Sequence, residues 1–249
     1  MRRHTVAWIS CLALTSILLS FEGSQAKVGE ETYPNLVPWE PQDLRVDRAD
    51  GFDRPPPYAL RFSVTVANRG EVPFDFEPDG VLVHGEDAIA AQCVKWVVQR
   101  VCTERRPAGR YVWHEAHGHY HIDDFAMYEL RRVYEDYMPD MSAEGLVAGG
   151  QKVSFCMLDT TYDGAQPGQV QNPLYLATCG MGRQGISPGW ADTYDWTLDG
   201  QQILLEGVPD GIYALVITVD PLGKFYEVTD YDNVSYTLLE LRDDGTSVF

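Results

Sequence analysis

Between residues 113 and 121 the chain reads Trp-His-Glu-Ala-His-Gly-His-Tyr-His, and four of its 6 histidines fall there. Three of them alternate. On an extended strand, side chains at i, i+2 and i+4 point to one face, so His117, His119 and His121 are expected to share a side. Three imidazoles on one side leave open positions around a metal, and imidazole suits copper, zinc, iron or nickel. A lone histidine is usually a core or solvated group. Three in strict alternation beside a fourth, His114, point to a metal site.

Other segments carry the same period of two. Residues 60–67 alternate apolar and polar, are rich in β-branched side chains, and stop at the turn signal Asn68-Arg69-Gly70. Residues 213–219 and 233–241 are strands, and Pro209-Asp210-Gly211 turns the chain into the first of them. Residues 151–158 place Val153, Phe155 and Met157 on one face, and 193–205 is a further strand. Short strands are expected at 74–76 and 80–84, whereas 87–100 fits helix or strand equally. Pro107 and Gly109 should break the chain before an extended run over 110–128, and 130–137 should make one or two helical turns. Residues 27–53 read as a polar, Pro-punctuated lead-in, 145–150 as loop, and 159–190 as a long Gly/Pro-rich connection. The pattern implies an all-β chain: a β-sandwich core with long disulfide-pinned loops and few short helices.

Residues 1–26 read as a secretory signal peptide, with Arg2 and Arg3 before an apolar stretch and Ser24-Gln25-Ala26 as the cleavage site. That leaves residues 27–249 as one domain, secreted (extracellular or periplasmic), without stable membrane insertion. Removal of the segment also removes Cys11. The four remaining cysteines suit two disulfides in an oxidising compartment, and proximity favours Cys93–Cys102 and Cys156–Cys179 among three pairings. The whole chain has a formal charge of −18; residues 1–26 carry a net +1, so the remainder stands at −19. Such a surface repels nucleic acid and anionic membranes and concentrates cationic ligands. Asn233-Val234-Ser235 matches a glycosylation sequon.

Several separated pieces resemble the catalytic domain of the lysyl oxidases, extracellular copper-dependent amine oxidases. Trp113 to His121 is similar to that family's copper-binding motif, and Asp124-Phe125 follows at nearly the family's offset. Lys152-Val153-Ser154-Phe155-Cys156 with Asp159-Thr160 looks like the segment supplying the cofactor lysine. Gly185-Ile186-Ser187-Pro188-Gly189 followed by Asp192-Thr193-Tyr194 looks like the segment supplying the cofactor tyrosine. Leu60-Arg61-Phe62, Asn68-x-Gly70 and Asp230-Tyr231-x-Asn233 are weaker echoes. The resemblance implies that His117, His119 and His121 hold copper, that Lys152 and Tyr194 join as lysyl tyrosylquinone, and that Cys156 pairs with Cys179. It also implies a primary amine, with peptidyl lysine as a candidate, as substrate and O2 as acceptor. The chain departs from the family pattern at Thr161, Trp190 and Gly200, where cysteines would be expected, and at Met127, where the mammalian pattern has histidine.

The chemistry is consistent with these residues. A phenol with a pKa near ~10 reacts poorly with oxygen unless a metal polarises it. An amine such as Lys152, free of its proton, could then add to the oxidised ring of Tyr194, and the quinone serves as electron sink. Asp123, Asp124 and Asp192 lie near the right motifs, as partners orienting a histidine or as exposed charges. Two other readings compete: a catalytically silent copper-binding module with an acidic docking face, and a zinc hydrolase using three histidines and a carboxylate. The hydrolase would keep its activity in Tyr194→Phe.

Overall fold

Alternation in the sequence becomes antiparallel pairing in the computed structural model, which describes residues 31–48, 58–97, 101–150, 154–164, 168–176, 182–242 and 245–248. The first half of the chain forms β1 (Leu36–Pro38), β2 (Gln42–Arg48), β3 (Tyr58–Asn68), β4 (Phe74–Pro78), β5 (Ala88–Val97), β6 (Val101–His114), β7 (His119–Ile122) and β8 (Ala126–Arg132). The second half forms β9 (Leu146–Gly149), β10 (Thr161–Tyr162), β11 (Gln184–Ile186), β12 (Trp190–Tyr194), β13 (Gln202–Leu204), β14 (Gly211–Val219), β15 (Val234–Arg242) and β16 (Gly245–Val248). A single 3₁₀ turn, Ala143–Gly145, is the helical structure among the described residues.

Three sheets result. The first is built around β3, whose early residues pair with β2 and β13 and whose later residues pair with β1 and β12. The second runs β11-β4-β5-β6-β7, and the third β16-β15-β14-β8-β9. Their inward faces meet in one apolar cluster that includes Phe62 and Val64 of the first sheet, Phe74 and Phe76 of the second, and Tyr128 and Leu215 of the third. Aromatic edges set the contacts. Phe62 meets Tyr128 at 5.0 Å, and Phe125 meets Phe155 at 5.5 Å, both T-shaped. The all-β architecture agrees with the sequence reading.

Local departures have local causes. Residues 80–84 are irregular rather than a strand: Gly80 has φ +100° and Val81 is 90% exposed, so the run has no continuous inward face, although Leu82 packs against the core. Residues 88–97 are strand, with Ala90, Ala91, Gln92, Cys93 and Val94 all buried in succession, which erases the period of two. Strand β6 runs straight through Pro107 and Gly109. Pro107 lies beside a register shift opposite Ala91, so its missing N–H falls where the ladder is already interrupted. The expected helical turns at 130–137 are strand up to Arg132, because the Arg131 guanidinium pairs with Glu129 at 2.8 Å and donates to the carbonyls of Asp140 and Ser142. The expected loop at 145–150 contains β9, and the expected lead-in contributes β1 and β2, with Leu36 fully buried. The expected strand over 193–205 splits into β12 and β13, because the Asp195 carboxylate accepts from Thr197 N at 2.9 Å and forms a turn.

Cys93 and Cys102 form a disulfide with Cα atoms 5.8 Å apart. Cys156 is also disulfide-bonded; Cys179, its expected partner, lies outside the described residues, as do residues 1–26 and Lys152. Asn233 is only 4% exposed and its Nδ2 donates to Glu227 at 3.0 Å, so the folded chain buries the sequon's asparagine. Among the described residues, no helix is long and apolar enough to cross a membrane.

Candidate metal centre and its cavity

The histidines sit on a hairpin, not on one continuous strand. Strand β6 ends at His114, residues 115–118 turn, and β7 begins at His119. The His114 carbonyl accepts from both His117 N at 3.0 Å and Gly118 N at 2.8 Å. Gly118 adopts φ +65°, a left-handed conformation that favours glycine and lets the chain reverse within so few residues. The register pairs His114 with His119 and Val112 with His121. Alternation therefore aligns His119 and His121, cross-strand pairing adds His114, and the turn folds His117 back toward them.

All four imidazoles cluster. Ring centroids lie 4.2 Å apart for His114 and His117, 4.9 Å for His114 and His121, and 5.4 Å for His117 and His119. The Nε2 atoms of His119 and His121 are 2.9 Å apart. One donor nitrogen from each of His114, His117 and His121 falls within 4.8 Å of the others. A metal bound by nitrogen at ~2.0–2.1 Å separates opposed ligands by up to about 4.2 Å, so side-chain movements below about 1 Å would close the set. The donor chemistry fits a borderline metal such as copper or zinc. His121 is the buried member at 4% exposure, with its Nδ1 3.2 Å from the Ser154 hydroxyl, a contact that fixes the ring's orientation. His117 is exposed on the turn.

A cavity of about 470 Å³ opens beside the hairpin, lined by His117, His119, His121, Cys156, Leu158, Thr160, Asp192, Thr193, Tyr194, Thr197, Leu198 and Asp199. Tyr194 reaches it from the end of β12, where it pairs with Val64 of β3. Its ring stands edge-on to Phe155 at 4.7 Å, and its hydroxyl donates to the Cys156 carbonyl. Burial pushes the Tyr194 phenol well above its ordinary pKa, and the nearby Asp192 carboxylate adds to the effect.

Backbone pairing joins the tyrosine side to the histidine side. Phe155 exchanges both backbone bonds with Ile122, the residue after His121, at 2.7 and 3.0 Å. Asp192, 3% exposed, accepts from Leu158 N at 3.2 Å and from the Thr160 hydroxyl at 3.3 Å, tying residues 158–160 to β12. Of the three aspartates singled out in the sequence, Asp192 lines the cavity, whereas Asp124 pairs with Lys224. Sequence reasoning passed over Leu158, Leu198 and Asp199 of the lining. They lie in stretches expected to be plain strands, 151–158 and 193–205, whose alternation says nothing of a shared cavity, and only the fold brings them together.

Lys152 lies outside the described residues; Ser154, the first described residue after it, touches His121.

A family model described as lysyl oxidase matches residues 92–248. Protein-lysine 6-oxidase of Sus scrofa is 36% identical over 141 residues, covering 56% of this chain and 50% of that protein. Protein-lysine 6-oxidase of Homo sapiens is 35% identical over 129 residues, 51% of this chain and 27% of that protein. Lysyl oxidase homolog 3B of Danio rerio is 39% identical over 132 residues, 51% of this chain and 14% of that protein. The chain thus spans half or less of the length of these relatives.

Proposed function

The chain belongs to the lysyl oxidase family, and from that premise we propose that it is a secreted, copper- and lysyl-tyrosylquinone-dependent amine oxidase. Its substrate class is primary amines, with peptidyl lysine the member that the relatives' name "protein-lysine 6-oxidase" suggests. The net reaction takes R-CH2-NH2, O2 and H2O to R-CHO, NH3 and H2O2.

One observation carries the reading: Tyr194 and the histidine hairpin line the same cavity. His117, His119 and His121 would hold copper, and His114 stands close enough to take part. Copper there would supply Lewis acidity and one-electron exchange with oxygen, and the joined Lys152–Tyr194 cofactor the electron sink for amine oxidation.

The chain's own groups prepare the site. The Cys156 carbonyl and the Phe155 ring fix the Tyr194 hydroxyl in direction, and burial keeps its proton in place. Asp192 ties the segment that follows Lys152 against β12. Leu158 and Leu198 give the cavity an apolar wall for an alkyl stem, while Asp199 at its exposed rim offers a carboxylate to an approaching ammonium. The overall charge of −18 would steer the same cations inward.

The test is turnover. Copper-loaded, aerated protein should release aldehyde, ammonia and peroxide in equal amounts from a primary alkylamine, and Tyr194→Phe should release none. Turnover that survives Tyr194→Phe would overturn the reading.

A further inference from the structure

We propose that Gln184 is a positioning residue that sets the spacing between the histidine hairpin and the segment carrying the cofactor lysine. The inference rests on the function proposed above and assigns a task to a side chain outside the cavity.

Gln184 opens β11 and is fully buried. Its two amide atoms point to two different parts of the site. Nε2 donates to the Tyr120 carbonyl at 2.7 Å, and Oε1 accepts from Met157 N at 3.3 Å. Tyr120 lies between His119 and His121 on β7. Met157 follows Cys156, whose carbonyl receives the Tyr194 hydroxyl. One planar amide therefore spans the backbone of the imidazole strand and the backbone beside the tyrosine.

The amide itself has little room to shift. Gly185 N donates to the Met157 carbonyl at 3.2 Å, and a Cβ on Gly185 would stand 2.2 Å from the Phe74 carbonyl oxygen. Strand β11 is thus pressed against both β4 and residue 157. A side chain held this firmly transmits its length to whatever it bridges. Joining a lysine nitrogen to a tyrosine ring beside a metal demands placement within fractions of an ångström, and misplacement by about 1 Å can cost ~100-fold in rate.

A purely structural role is the alternative, and the molecule contains a matched control. Gln92 is also fully buried, with Nε2 donating to the Tyr226 carbonyl at 2.7 Å and Oε1 accepting from Tyr226 N at 2.8 Å. It makes the same pair of backbone bonds away from the cavity lining.

The experiment compares Gln184→Met and Gln92→Met with wild type in the full chain, loaded with copper in air below the melting temperature of each. The readouts are the yield of the Lys152–Tyr194 cross-linked peptide by mass spectrometry and the copper(II) EPR spectrum. Expected is at least a tenfold lower cross-link yield and a shifted EPR spectrum in Gln184→Met, with Gln92→Met matching wild type in both. If Gln184→Met does not fold, Gln184→Glu replaces it; it keeps the acceptor toward Met157 N but, when ionised, cannot donate to Tyr120.

Wild-type yield and spectrum in a folded Gln184 variant would overturn the proposal, as would equal losses in Gln92→Met. Wild type that binds copper without cross-linking would sink the oxidase reading alone, leaving the EPR comparison to decide Gln184. Wild type that binds no copper would sink both.

Discussion

The two halves of the cavity are held in place by different means. The imidazoles ride a hairpin whose turn is exposed, and only His121 is buried. Tyr194 is fixed from several directions at once, by Phe155, the Cys156 carbonyl and the pairing of β12 with β3. The metal half is therefore local and adjustable, and the tyrosine half is distant in sequence and rigid. A donor set that must close by up to about 1 Å tolerates such adjustment. A ring that must meet a second side chain does not.

The largest expected effect breaks the rigid half. Tyr194→Phe should lower amine turnover by at least ~1000-fold, about 4 kcal/mol of barrier, while copper stoichiometry by metal analysis stays at the wild-type value. Loss of copper together with turnover would mean that the two halves are not separable.

Within the adjustable half, burial should rank the ligands. His121→Ala is expected to weaken copper affinity by ~100-fold or more, because it removes the buried ring that Ser154 orients. His117→Ala, on the exposed turn, should cost only ~10-fold, since a neighbouring imidazole stands close enough to replace it. Competition with a copper chelator reads both, and the reverse order would contradict the contrast.

Asp192→Asn probes the ties of the rigid half. Asparagine keeps one acceptor of the two that hold Leu158 N and the Thr160 hydroxyl. Thermal unfolding should show a loss of about 1–3 kcal/mol, and cross-link yield should fall with it; unchanged stability would remove Asp192 from the network. The smallest effect concerns approach to the rim. Turnover of a cationic amine at low concentration should fall by up to ~10-fold as salt rises from low to physiological strength, because exposed charges are screened over about 8–10 Å. Indifference to salt would end the steering idea.

What could be read in the sequence follows the same division. Trp113 to His121 announces its chemistry within nine residues, and the strand period at 60–67 and 213–219 carries into β3 and β14. Even there the turn was missed, although His117-Gly118 offers the glycine that makes it. Gln184 lies in the Gly/Pro-rich connection and Asp192 just beyond it, and their tasks depend on partners 64 and 34 positions away, which no local pattern shows. The strand over 88–97 was ambiguous because burial on both faces removes alternation. The 130–137 segment was misread because Arg131, charged and seemingly solvent-directed, is buried against Glu129 and backbone carbonyls.

The most direct measurement is proteolysis and tandem mass spectrometry of copper-loaded, air-exposed protein, searching for residue 152 joined to residue 194. The expected result is one covalently linked peptide pair carrying the mass of the oxidised tyrosine ring. Two separate, unmodified peptides from protein that has taken up copper would contradict it.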